Sequence, residues 1–250
     1  MKKSKISAGI VTYNNEKEIA PCLGSLIRYT EGLNVEIYVQ DNGSQDDTIE
    51  IVKNQFPQVH IIENDENKGF GRGHNAIMEV IESDYHLVVN PDIVFTEHAV
   101  SKLFAFMEKN PRVGQVTPKI LNEDGTEQYL PKKDPTFAYV ILSKFPPFKH
   151  YRRDYTRADE TFKKPTKILS STGCLFMIRT ELFKDLGGFD ERYFMYFEDA
   201  DLSRRVRQKA DVVFYPKIAV YHGWKRDNTK NLRGIRIFLT SMAKYFWKWK

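Results

Sequence analysis

The chain has 250 residues, 41% of them hydrophobic, and 38 Lys and Arg against 33 Asp and Glu give a formal net charge of +5. That hydrophobic share supplies a sizeable core and excludes global disorder. The mild basic excess suits a phosphate-bearing ligand or an anionic surface and is too small to point to nucleic acid, and no apolar run is long enough to span a bilayer. The start, MKKSKISAGIVTY, is basic but lacks an apolar leader, so Cys22 and Cys174 read as buried thiols of a cytoplasmic chain.

Strand-like runs come at residues 5–12, 35–40, 59–63, 85–90 and 114–116. Between the first two, Ile19, Cys22, Leu23 and Leu26 repeat as one face of a helix, with Pro21 tolerated in its first turns. Residues 48–55, 73–82 and 97–109 supply further helices. This strand–helix alternation predicts an α/β fold with a mostly parallel sheet, whose ligands bind beyond the carboxyl ends of the strands. Polar clusters fall at those ends: Thr12-Tyr13-Asn14, Asp41-Asn42-Gly43, the stretch from Asn67 to Asn75, and Asn90-Pro91-Asp92. Residues 121–167 dissolve into Pro, Lys, Asp and aromatics, an irregular or mobile excursion within a domain spanning 1–226. A strand at 175–178, a short helix at 180–186 stopped by Gly187-Gly188, a helix at 202–208, and strands at 211–215 and 218–222 follow. On a helix over 227–250, Ile235, Phe238, Leu239, Met242, Tyr245, Phe246 and Trp249 form one stripe, with Arg233, Arg236, Lys244 and Lys248 facing away. Such a helix suits an anionic membrane surface or a second subunit, as a homodimer, or packs on the domain's own sheet.

The segment FDERYFMYFEDADLSRRVRQ sets Asp190, Glu191, Glu198, Asp199 and Asp201 among aromatics. Partial desolvation there raises carboxylate pKa and makes better bases. The structural alternative has Asp199 capping the helix at 202–208 and Asp201 pairing with Arg204 or Arg205. Asp41 could accept from N3–H of uracil or thymine, or merely hold a turn. Residues 67–73, NKGFGRG, are glycine-rich enough to bring backbone N–H groups near a pyrophosphate at a helix start. Gly71-x-Gly73-x-x-Ala76 fits a relaxed dinucleotide fingerprint, but the glycines do not follow the first strand directly. Asp92, after an apolar strand, is a candidate Mg²⁺ or Mn²⁺ ligand. His222 could add a nitrogen ligand or serve as a structural or substrate-contacting histidine.

Five segments in order resemble the inverting family 2 glycosyltransferases with the GT-A fold: IVTYNNEKEIAPCLGSL, VQDNGSQDDT, NKGFGRGHN, VVNPDIVF and GCLFMIRTELFKDLGGFDERYFMYFEDADLSRRVRQ. With Tyr221-His222 and the basic tail, the pattern is most similar to bacterial rhamnosyltransferases of surface polysaccharides. The resemblance implies that Thr12, Tyr13, Asn14, Asp41 and Asn42 line the nucleoside pocket, and that Asn67, Gly69, Arg72 and Asn75 contact ribose or phosphate. It implies Asn90 and Asp92 at the diphosphate and metal, with His222 beside them, Asp199 as general base and Glu198 beside the acceptor. Asn-Pro-Asp replaces the usual Asp-x-Asp metal motif. The implied donor is dTDP-β-L-rhamnose, its methyl group facing Phe194, Tyr196 and Trp224. UDP-hexoses are the alternative donors, and a non-catalytic nucleotide-sugar-binding relative is the alternative class. The implied acceptor is a glycan or lipid-linked glycan at the inner face of the cell membrane.

Overall fold

The structure is a computed structural model that describes residues 4–129, 132–143, 145–223 and 232–250. Trp224, expected beside the donor sugar, lies outside the described residues, as does the expected boundary at 226.

Four parallel strands, β1 (Ile6–Thr12), β2 (Val35–Asp41), β3 (His60–Glu63) and β4 (Tyr85–Val89), form one half of the sheet, in the order β3-β2-β1-β4. Crossovers run through α1 (Ile19–Tyr29), α2 (Thr48–Gln55) and α3 (Phe70–Val80). All seven residues of β1 are buried, which is why it reads as an almost unbroken apolar run. Register places Thr12, Asp41 and Glu63 level, so the polar residues after these strands share one edge.

The other half mixes directions. It comprises β5 (Ile93–Val94), α4 (Ala99–Lys109), β6 (Val113–Leu121), α5 (His150–Thr156), β7 (Thr166–Lys167), β8 (Leu175–Arg179), α6 (Thr180–Asp185), α7 (Glu198–Val206), β9 (Asp211–His222) and α8 (Leu232–Lys248). The sheet continues β4-β8-β6-β9-β5, with β7 on the flank of β9. Strand β8 runs antiparallel to β4, pairing Leu175 with Val89. Residues 173–174 therefore arrive at the same edge as Asn90, whose N–H donates to the Cys174 carbonyl (2.8 Å).

Several elements differ from the sequence reading. The strands expected at 211–215 and 218–222 are one strand, β9, with a register shift where Tyr215 pairs with Pro118 and Ala219 with Lys119. Pro118 and Pro216 lack the N–H that would carry the ladder across this point. Helix α3 begins at Phe70 rather than 73, launched by Gly69 at φ 91°. The excursion 121–167 holds a π-helical turn (Ala138–Leu142), a 3₁₀ turn (Pro146–Phe148), α5 and β7.

The tail is a helix, and its stripe divides. Phe238, Met242, Phe246 and Trp249 pack with buried Tyr245 against Val140, Tyr193, Phe197 and Ala200, whereas Ile235 and Leu239 stay exposed. Lys244 and Lys248 do not face away. Lys244 donates to the Arg192 carbonyl (2.5 Å), and Lys248 pairs with Asp190 and Asp201.

Candidate active site

The loops after β1 and β2 lace together. Asn14, at φ 56°, donates its N–H to Ser44 Oγ (3.0 Å) and accepts from the Gln45 N–H (2.8 Å). Thr12 is buried and donates to Asn15 Oδ1 (3.0 Å), while Tyr13 is exposed beside it. Asp41 is buried and accepts from the Gly43 N–H (3.2 Å), the Ser44 N–H (3.0 Å) and Ser44 Oγ (2.6 Å). All three of these side-chain bonds serve the turn. Asn42 donates to the Gly69 carbonyl (3.2 Å), and its buried Oδ1 accepts nothing among the described residues.

Asn67 Oδ1 accepts from the Gly69 N–H (2.9 Å), and the Phe70 N–H donates to the Phe194 carbonyl (3.1 Å). A Cβ at Gly69 would collide with that same carbonyl, so glycine is required both by its positive φ and by this approach. The glycine loop thus seats against the acidic–aromatic segment. Arg72 lies 3.5 Å from the Glu191 carboxylate, both half-exposed. Asn75 is a buried brace: its Oδ1 accepts from the Phe189 N–H (2.8 Å) and its Nδ2 donates to the Phe189 carbonyl (2.9 Å), which occupies the amide within the fold.

At the centre of the edge, Gln128 donates to Asn122 Oδ1 (2.9 Å) and to the His222 carbonyl (3.1 Å). Its Oε1 is therefore left to accept from His222 Nδ1 (2.9 Å), which puts the imidazole proton there and a lone pair on Nε2. Nε2 faces Asp92 Oδ1 at 3.2 Å and Asn90 Nδ2 at 3.4 Å. The Asp92–His222 approach is close without hydrogen-bond alignment, and the buried Asp92 Oδ1 accepts no hydrogen bond among the described residues. An orphaned carboxylate oxygen beside an imidazole lone pair fits a divalent cation. Among the described residues no three His, Cys, Asp or Glu side chains gather to hold one.

The opposite wall is α7. It starts at Glu198, a full turn before the expected 202, so Asp199 lies inside its first turn and is not its cap. Tyr196 and Phe197 reach it through two consecutive left-handed conformations, φ 71° and 69°. Neither is glycine, and such strain persists only where packing holds it. Here α8 holds it: the Phe197 ring lies 5.4 Å from Tyr245 and 5.6 Å from Phe238, and Ser241 donates to the Met195 carbonyl (2.8 Å). Tyr196 packs on Phe238 as well, so its ring is turned to α8.

Half-buried Asp199 accepts from the Gly173 N–H through Oδ2 (3.1 Å) and from the Ala200 N–H through Oδ1 (2.7 Å). Both bonds fix its aim at the edge shared with Asn90. Glu198 is buried with Oε2 unpaired among the described residues, and burial first, then Asp199 and Asp201, push its pKa up to about 8. Asp201, fully buried, pairs with Arg205 at i+4 (2.8 Å), as the sequence allowed, but also accepts from Trp249 Nε1 (2.8 Å) and Lys248 Nζ (2.6 Å).

Two neighbours of Asp199 come from the irregular stretch 121–167. Lys132 is bridged by its backbone to Ser170, its ammonium 6.0 Å from the Tyr155 ring. Burial pulls its pKa down while Asp199 works the other way. Tyr155, stacked on Tyr139 at 3.6 Å, has its pKa raised by burial, with Tyr139 and Asp199 adding to it. No periodicity or motif marked either residue.

Residues 7–187 match the profile described as Glycosyl transferase family 2. The chain belongs to that family. It is 28% identical over 263 residues to the N-acetylglucosaminyl-diphospho-decaprenol L-rhamnosyltransferase of Mycobacterium tuberculosis, covering 95% of this chain and 85% of that protein. Rhamnosyltransferase WbbL of Escherichia coli K12 is 24% identical over 188 residues, 71% of this chain and 69% of its own length. A mannosyltransferase from Pyrobaculum calidifontis, solved with GDP-mannose and Mn²⁺, superposes with a TM-score of 0.67 at 15% identity. That match spans 99% of this chain but only 65% of the other. This last likeness is one of fold, and it agrees with the GT-A architecture expected from the five segments.

Proposed function

We propose that this family 2 member is an inverting rhamnosyltransferase that moves L-rhamnose from dTDP-β-L-rhamnose to a hydroxyl of a glycan or lipid-linked glycan. The observation that carries this reading is Asp199, held by the Gly173 and Ala200 amides at the edge where Asn90, Asp92 and His222 meet. The two rhamnosyltransferases among its relatives support the sugar, and the first of them carries a lipid-linked acceptor in its name.

In this reading Asp199 Oδ takes the proton of the acceptor hydroxyl as that oxygen attacks the anomeric carbon opposite the nucleoside diphosphate. One displacement inverts the configuration, and the base contributes about 10²–10⁴-fold. Glu198, uncharged at neutral pH by virtue of its raised pKa, can donate a hydrogen bond to the acceptor. Asp92 and His222 would hold a divalent ion, Mg²⁺ or Mn²⁺. When bound, the ion neutralises charge on the departing diphosphate. Arg72 and the backbone amides at the start of α3 stand on the same side. Thr12, Tyr13, Asn14, Asp41 and Asn42 line the nucleoside side.

The test is nucleotide release from dTDP-rhamnose, UDP-hexoses and GDP-mannose with an acceptor present. The reading expects dTDP-rhamnose to lead, and Asp199→Asn to cut turnover about 10²-fold or more while donor binding survives. Full activity in Asp199→Asn would remove the base assignment, and a UDP-hexose lead would reassign the donor.

A further inference from the structure

The stripe of α8 that packs inward leaves a second apolar line facing out. Leu232 is 86% exposed and Trp247 66%, with Ile235 and Leu239 between them. Phe137, 61% exposed, touches Phe246 of α8 with ring centroids 6.3 Å apart, and Phe145, 56% exposed, and Phe148 follow it along the excursion. Single exposed apolar residues need no explanation, but a run of Leu, Ile, Phe and Trp across two touching elements does.

Charge selects the occupant. Residues 232–250 carry Arg233, Arg236, Lys244, Lys248 and Lys250 without one Asp or Glu, and the neighbouring excursion adds Lys149 and Arg152, its Arg153 being paired with Asp159. Lys244 and Lys248 are turned inward onto Arg192, Asp190 and Asp201, while Arg233 and Arg236 stay exposed beside the apolar line. A second copy docked α8 against α8 would set like charges against like with no acid on that helix to meet them, so self-pairing is disfavoured. An anionic bilayer supplies both an apolar layer and negative headgroups, and the aromatic rings suit the boundary between the two.

We propose that the outer face of α8 together with Phe137, Phe145 and Phe148 forms one docking surface for an anionic lipid bilayer, with α8 lying in the membrane plane. Its 17 residues extend about 25 Å, and no helix among the described residues is long and apolar enough to cross. The same helix braces the strained approach to Asp199, so docking brings the acceptor wall close to the lipid surface. The surface stands on exposure and charge alone and does not depend on the sugar-transfer reading.

The experiment sediments the full chain with vesicles of phosphatidylcholine and of phosphatidylcholine mixed with phosphatidylglycerol. Binding to the mixed vesicles, weakened by salt, is expected, with little on the neutral ones. Leu239→Asp with Trp247→Asp, and separately Phe145→Ser with Phe148→Ser, should each weaken binding roughly tenfold or more. Arg233→Gln with Arg236→Gln should do so by a similar factor. All these side chains are exposed, so circular dichroism should be unchanged. Absence of binding to the mixed vesicles, or equal binding by the variants, overturns the proposal. So does a concentration-dependent dimer that Leu239→Asp with Trp247→Asp abolishes, which would give the face to a second copy.

Discussion

On the proposed donor side, the loops after β1 and β2 are held within their own turns and laced to each other across 30–31 positions. Asp41 bonds to Gly43 and Ser44, and Asp46 binds the Thr48 N–H (3.1 Å), Thr48 Oγ1 (2.5 Å) and the Glu16 N–H (3.1 Å). On the proposed acceptor side, Asp201 is held by Trp249, 48 positions along the chain, and Phe197 by the aromatic face of α8. Exposed turns with several redundant bonds tolerate single losses, whereas a buried carboxylate and strained residues braced by one helix lose their partners together. Damage to the acceptor wall should therefore cost more stability and more turnover than damage of similar size to the donor loops.

Deleting residues 248–250 is the strongest challenge to that contrast. It leaves Asp201 buried beside Glu198 with only Arg205 as partner, a loss of about 3–5 kcal/mol. Chemical denaturation should show it, and turnover should fall further than donor affinity. Gly69→Ala strikes the seam between the halves. Positive φ and the Phe194 carbonyl together make it cost about 1–3 kcal/mol, and both donor affinity and turnover should drop. Asp46→Ala, confined to the donor loops, should cost only about 1–2 kcal/mol, read as a small fall in Tm with turnover at saturation nearly unchanged.

The last test is a pH dependence. Folding raises the Glu198 pKa from 4.5 to about 8, so the folded state holds a proton that the unfolded state has released between those values. Stability from this group is present below about 4.5 and is lost as pH rises toward 8. Glu198→Gln should accordingly match the parent near pH 4.5 and melt a few degrees higher above about pH 8. An unchanged or opposite Tm difference would remove desolvation as the cause.

The parallel half was legible because burial imprints a period. Fully buried β1 and the apolar face of α1 left patterns that gave their positions to within a residue or two, and α2 was found over 48–55 as read. The start of α7 was not legible. It rests on left-handed Tyr196 and Phe197, and neither is a residue type that announces such a turn. Asn90, Asp92 and His222 could be nominated from motifs, yet the Gln128 contact that sets the imidazole proton lies in a stretch without periodicity. The tail's amphipathic helix was readable too. Its burial against residues 193–200 was not, because that segment's side chains answer to tertiary packing rather than to any repeat.

The reversed direction of β8 has one more effect. Its lead-in offers the Cys174 carbonyl to Asn90 and the Gly173 amide to Asp199, so adjacent residues grip the end of β4 and the Asp199 carboxylate at once. The spacing between those two groups is thereby gauged by a short piece of backbone and not by any flexible side chain. A bulkier residue in place of buried Cys174 would throw both out of alignment together.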